Sequence, residues 1–166
     1  MKKTLNEYIH EYKTQLQKGD IKYAYRGLME FMVNLKNDLQ HTCPQYKLSA
    51  TTHQGYMDIT YFSFTNKLLK GNQLKTIILF NHETFNFEIW LAAQNKKIQK
   101  KYWEVFKKND WNTYSIPSTI VGRYSIIEGT LAQHPDFSNL HSLKEQIISE
   151  IILFINEVTM FFNKLK

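Results

Sequence analysis

The apolar residues of this chain change their spacing twice, and that change limits the possible folds more than any other feature. From Leu5 to Leu39, and again from Ile147 to Leu165, they recur every three or four residues. Between residues 47 and 92, short runs rich in Thr, Tyr, Phe and Ile are bounded by turn-forming residues. The first spacing draws one apolar stripe along a helix, and the second kind of run suits strands. Helices, then strands, then helices again predict an α+β arrangement rather than alternating βαβ units.

Leu5, Ile9, Tyr12 and Leu16 stand at 4-3-4 spacing, followed by Gly19 as a C-terminal cap and Asp20 as an N-cap. Ile21, Tyr25, Leu28, Met32, Leu35 and Leu39 continue the pattern, widened by Ala24 and Phe31. Residues 4–41 therefore read as a helical hairpin, ended by Cys43-Pro44 because proline cannot continue a helix. Lys96 to Lys108 is a further helix, with Ile98, Tyr102, Val105 and Phe106 on one side. Ser142 and Glu145 offer a capping box for the last helix. It carries one stripe through Ile147, Ile151, Phe154, Val158, Phe161 and Leu165, and a second through Ile148, Ile152, Ile155 and Phe162. So wide an apolar surface is packed within the chain, or one stripe meets a second copy in a homodimer.

Strands are predicted over 47–53, 56–64, 74–82 and 85–92, giving a four-stranded antiparallel meander. Lys70-Gly71-Asn72 marks a turn in the connection 65–73. Residues 111–131 are ambiguous: Ser115-Ile116-Pro117-Ser118 is a loop, Gly122 and Gly129 interrupt the pattern, and 119–128 reads as strand or helix. If it is extended, the sheet has five strands. His134 to Ser138 is a loop. A tight hairpin centred on Glu83-Thr84 sets Phe80 opposite Phe87, Ile78 opposite Ile89 and Thr76 opposite Leu91, an apolar face that must be core. The other face pairs Leu79 with Glu88 and Ile77 with Trp90. That mixture implies partial cover or a cleft.

A chain of 166 residues suits a single domain spanning 1–166. Eleven Phe, ten Tyr and three Trp exceed what a core strictly needs and can line a pocket or interface. The net charge is +6, but Arg26 and Arg123 are the only arginines. Dedicated readers of bases and phosphates use more of them. Nucleic acid or another anionic ligand is thus a minor expectation. Cys43 is the only cysteine, which leaves no intrachain disulfide and no cysteine zinc cluster. After the basic Met1-Lys2-Lys3 come Asn6, Glu7, His10 and Glu11 rather than an apolar run, and no stretch approaches a membrane span. A cytoplasmic protein, without membrane attachment and without a cofactor, is the expectation.

Chemistry-bearing pairs are few. Asp58 and Glu88 lie in neighbouring predicted strands and would converge if both turned to the mixed face. Two carboxylates are the least that a magnesium-dependent phosphodiesterase needs to hold a metal against phosphate. The restriction-endonuclease-like fold places acids in this way, but its second motif is acid-any-Lys, and here the triplet is Glu88-Ile89-Trp90. None of the six histidines forms an i,i+4 zinc pair, and His82-Glu83 falls at a turn. Cys43 near His41 is a weak nucleophile candidate. Neither a Gly-x-Ser-x-Gly element nor a glycine-rich phosphate loop is present. In the helix 96–108, Lys96, Lys97, Lys100, Lys101, Lys107 and Lys108 surround Tyr102, Trp103 and Phe106. An exposed Trp103 beside Lys101 would suit stacking on a base.

Four segments carry a resemblance: Ala24-Tyr25-Arg26-Gly27-Leu28-Met29-Glu30-Phe31-Met32, Gln54-Gly55-Tyr56-Met57-Asp58, Phe87-Glu88-Ile89-Trp90-Leu91-Ala92 and Lys100-Lys101-Tyr102-Trp103. Through them the chain resembles a small uncharacterised family of bacterial, mostly Gram-positive, proteins over nearly its whole length. The resemblance implies a free-standing domain and supplies no catalytic residue.

The reading that follows is a non-enzymatic binding protein. Its surface would be the mixed sheet face around Tyr56, Asp58, Glu88 and Trp90, beside Arg26, Lys101 and Trp103. A degenerate endonuclease-like domain, with Asp58 and Glu88 on a metal, or a nucleic-acid-binding module is the alternative.

Overall fold

The computed structural model describes residues 2–165. The chain divides into two compact units, Met1–Asn34 and Leu35–Lys166. The first holds α1 (Leu5–Lys18) and the start of α2 (Asp20–Thr42). Thr4 begins α1 with a capping box: its hydroxyl accepts from the Glu7 N–H, and the Glu7 carboxylate accepts from the Thr4 N–H at 2.6 Å. Those bonds hold the Glu7 carboxyl below its ordinary range. Gly19 alone separates the helices, in a left-handed conformation (φ 89°) that costs glycine little. Asp20 is the first helical residue rather than the cap, because the Gly19 carbonyl already accepts from the Tyr23 N–H. α1 has no buried residue, and its stripe residues Leu5, Ile9 and Tyr12 are exposed.

The second unit is built on a six-stranded antiparallel sheet. β1 is Lys47–Leu48, β2 His53–Gln54, β3 Ile59–Thr65, β4 Leu74–Asn81, β5 Asn86–Ala93 and β6 Ser125–Ala132. The order is β1-β3-β4-β5-β6, with β2 also on the outer edge of β3. The expected first strand is broken in two. The Ser49 hydroxyl accepts from the Ser63 N–H and donates to the Thr51 carbonyl, so a side chain takes over part of the ladder. The expected second strand starts later, at Ile59, because Met57 is left-handed (φ 61°) and the Gly55 N–H bonds the Ile59 carbonyl. The connection after it is not a simple turn. Asn66 caps a short helix, α3 (Lys67–Gly71), by accepting from the Leu69 N–H. The ambiguous segment is extended, over 125–132.

The β4–β5 hairpin has the register its sequence predicts: Phe80 faces Phe87, Ile78 faces Ile89, Thr76 faces Leu91, Leu79 faces Glu88 and Ile77 faces Trp90. The Asn81 side chain sets the turn by accepting from the N–H groups of Glu83 and Thr84. The inner face carries Thr60, Phe62, Phe64, Thr76, Ile78, Phe80, Phe87, Ile89 and Leu91, all buried.

Two helices complete this unit, α4 (Lys96–Lys108) and α5 (Leu140–Lys164). Phe106 of α4 stacks on Phe161 of α5, with ring centres 4.3 Å apart. Both stripes of α5 are buried through Ile147, Ile151, Phe154, Val158 and Phe161 and through Ile148, Ile155 and Phe162. That leaves Leu153 and Met160 as the exposed apolar residues in the middle of the helix. Asn139, not Ser142, is the N-cap, and its side chain accepts from the Ser142 N–H. The outer edge of β6 meets Ser115, which exchanges two backbone hydrogen bonds with Glu128. Gly129 lies beneath the Tyr114 ring. A Cβ there would meet Tyr114 and Ile89 at 3.0 Å, so the glycine interruption reflects close approach.

Candidate functional site

The outer face of the sheet is half open. Strand β3, and β5 from Asn86 to Leu91, alternate residue by residue between buried and half-exposed, as a sheet with one sealed and one partly solvated face does. A small apolar patch sits on that face: Ile77, Leu79 and Ala92 are buried, with Ile59, Tyr61 and Trp90 packed around them. Polar groups border it. Glu88 accepts from the Asn81 amide at 3.0 Å, from the Thr84 hydroxyl at 3.4 Å and from the Trp90 indole N–H at 3.0 Å. The indole, two residues along the same strand face, is therefore held in one orientation.

Trp90 lines a cleft of about 420 Å³ with Val121, Gly122, Arg123, Tyr124, Ser125 and Glu128. Glu128 lies directly across from Trp90 in the β5–β6 register. Its Oε1 accepts from Arg123 at 3.2 Å and from the Ser125 hydroxyl. The Arg123 side chain is about half exposed. Screened to that degree, the ion pair adds little stability, but it ties the cation to Glu128 within the lining of the cleft. α4 fixes the loop from behind. Lys96 Nζ and the Gln99 amide both donate to the Arg123 carbonyl, and Gln99 also donates to the Ser125 carbonyl. Lys96 lies 5.3 Å from the centre of the Tyr124 ring. The result is a fixed indole, an exposed tyrosine and a cation arranged around a space of small-molecule size.

The sequence candidates fall into separate places. Glu88 and Trp90 come together as described. Tyr56 and Asp58 share the turn before β3, and Tyr56 is fully exposed. The Asp58 carboxylate folds onto its own turn and accepts from the Ile59 N–H at 2.7 Å, the principal cause of its lowered pKa. It precedes the strand on which convergence with Glu88 depended. Among the described residues no group of three or more His, Cys, Asp or Glu could hold a metal ion. Trp103 is half-buried, its indole N–H donates to the Pro117 carbonyl, and Lys107 Nζ lies 3.7 Å over its ring. The indole face that base stacking would need is thus covered by the chain's own ammonium. Lys101 Nζ stands 5.0 Å over Tyr102. Arg26 is exposed and belongs to the first unit. Burial pushes the Cys43 thiol up, against a smaller opposing effect of Tyr46, and Tyr46 itself is pushed up to about 12, chiefly by burial. A buried thiol with a raised pKa is a poor nucleophile. Arg123, Ser125 and Glu128 escaped the sequence reading. The usable signal was the rarity of arginine, one of whose two copies is Arg123.

Fold and site together define an α+β protein with a half-open antiparallel sheet and a cleft at the β5–β6 side of its outer face. The chain belongs to the family described as domain of unknown function DUF7000, whose model matches residues 5–162. No curated protein matches it, and no solved structure does. No helix among the described residues is long and apolar enough to cross a membrane.

Proposed function

We propose that this protein is a non-enzymatic binding protein, and that its ligand is a small planar molecule bearing an acidic group. The observation that carries this reading is the Trp90 indole. It is fixed by Glu88 and half exposed in a cleft that Arg123 also lines. Flat π-surface and guanidinium are complementary to a flat acid: the indole supplies contact area and the cation fixes orientation. Of the sequence candidates, Glu88 and Trp90 act here, Glu88 through its hold on the indole. Tyr56 and Asp58, in the turn before β3, would bind only a larger ligand. Arg26, Lys101 and Trp103 have no part in this cleft.

The matching of one family model through both units supports a single domain. The lone buried thiol suits a reducing, cytoplasmic compartment. The four segments quoted above suit a bacterial, Gram-positive source.

Nuclear magnetic resonance tests the reading through the three indole N–H signals, assigned with Trp→Phe variants. Titration with benzoate and indole-3-acetate should shift the Trp90 signal and leave those of Trp103 and Trp111 in place. Arg123→Gln should remove the effect. A uniform absence of shifts across such acids, or shifts confined to Trp103 or Trp111, refutes it.

A further inference from the structure

We propose a second site, at the other end of the same sheet face, for a condensed phosphate: a pyrophosphate group, free or carried by a nucleoside. It rests on the register and not on the Trp90 cleft. Lys47 pairs with Thr65 across β1 and β3. The β3–β4 pairs run as far as Phe64 with Thr76, so Thr65 and Lys75 continue the ladder, and Lys75 pairs with Ala92 of β5. Directly paired residues share a face. With strands about 4.8 Å apart, Lys47 and Lys75 stand about 10 Å apart on one side of the sheet, either side of Thr65.

Lys70, from α3, lines the same cleft of about 400 Å³ together with Lys47, Thr65, Gln73, Leu74, Lys75 and Gln94. No carboxylate lines it. The ion pairs Arg123–Glu128, His141–Glu145 and Lys144–Asp38 use none of these lysines. On β5 the face's next acid is Glu88, four residues from Ala92 and therefore about 13 Å along the strand. Three cations consequently share one cleft without an internal counter-charge. The rim is fixed: Gln73 adopts a left-handed conformation (φ 57°), and its carbonyl accepts from the Gln94 N–H at 2.9 Å.

A compact anion with several charges offsets that crowding. Lysines act on phosphate as point charges, and a row about 10 Å wide matches a two-centre anion better than a single phosphate. The cleft is lined by no aromatic side chain on which a base could stack, and sites that track single strands normally provide one. That favours condensed phosphate over a nucleic-acid strand.

Calorimetric titration of the full chain with pyrophosphate at low ionic strength tests the site, with ATP as a second arm and a thymidine oligonucleotide as a third. The expected result is saturable one-to-one binding of pyrophosphate, competition between pyrophosphate and ATP, and weakening as salt is raised. Lys75→Gln should weaken it about tenfold, the scale of one lost hydrogen bond to a charged group, and Lys47→Gln should add to that loss. Trp90→Ala should leave it unchanged. Thermal unfolding monitored by circular dichroism checks that the lysine variants stay folded. The proposal is overturned by three outcomes: no saturable pyrophosphate binding to the wild-type chain, full affinity in the folded triple variant K47Q/K70Q/K75Q, or an oligonucleotide that binds tightly and is not displaced by pyrophosphate.

Discussion

Two residues of the second unit show how a single polar group is costly or useful according to its partner. Thr76 is completely buried on the inner face, and its hydroxyl has no hydrogen-bond partner among the described residues. An unmet buried hydroxyl costs roughly 1–3 kcal/mol, so Thr76→Val, close in shape, should stabilise by about 1 kcal/mol. A higher urea midpoint at unchanged slope would show it. Thr60, equally buried, does have a partner: its hydroxyl lies 2.9 Å from His82 Nε2. Burial lowers the His82 pKa, against a smaller opposing pull from the Asp58 charge. Above the ordinary histidine value of 6.5 both folded and unfolded chains hold it neutral, and it contributes no pH dependence. As pH falls below 6.5 the unfolded chain takes up the proton first, so stability declines until the lowered folded value is passed. Urea unfolding at pH 7.5 and 5.5 should show a fall in the wild-type protein that is smaller in His82→Gln. An equal fall in both would assign the effect elsewhere.

At the scale of elements, the caps discriminate between what spacing suggests and what the backbone does. Ser142 with Glu145 satisfies the capping-box pattern, yet the helix starts earlier because Asn139 accepts from the Ser142 N–H. Asn139→Ala should therefore cost about 1 kcal/mol, while Ser142→Ala should stay within about 0.5, both read from thermal or urea unfolding. The β4–β5 hairpin was legible to the residue, because alternation of period two and a short turn leave only one register that buries Phe80, Phe87, Ile78 and Ile89 together. The turn before β3 was not. It is made by Gly55 and Ile59 backbone groups and a left-handed Met57, none of which changes the apolar pattern. α3 was hidden for a related reason, since five residues are too few to draw a stripe. The Trp90 half of the candidate site could be read from its mixed face. The Arg123–Glu128 half could not, because Gly129 and the register shifts of the β5–β6 ladder obscure the alternation of β6.

Across the whole molecule, the outer face offers two clefts of unlike chemistry, one with an indole and an arginine, the other with three lysines. They share no lining residue. Sites without shared partners contribute independently, so their binding free energies should add. Saturating pyrophosphate should leave benzoate affinity within about twofold, the ordinary margin of additivity. A larger change in either direction would reveal coupling through β4 and β5, and titrating one ligand in the presence of the other measures it.

The pair of hydrogen bonds between Ser115 and Glu128 has a consequence for solubility. β6 ends the sheet, and an uncovered outer strand is a template on which a second chain can lay down its own backbone. Side chains reach two other carbonyls of β6, Gln99 at Ser125 and Gln146 at Leu131, and Ser115 is the point at which backbone itself occupies the ladder. Ser115→Pro would withdraw one of the two bonds, because proline has no N–H to give. Prolonged incubation should then yield fibrillar, thioflavin-positive material sooner than the wild-type chain does. A single serine outside any strand would thus set how long the protein stays dispersed at high concentration.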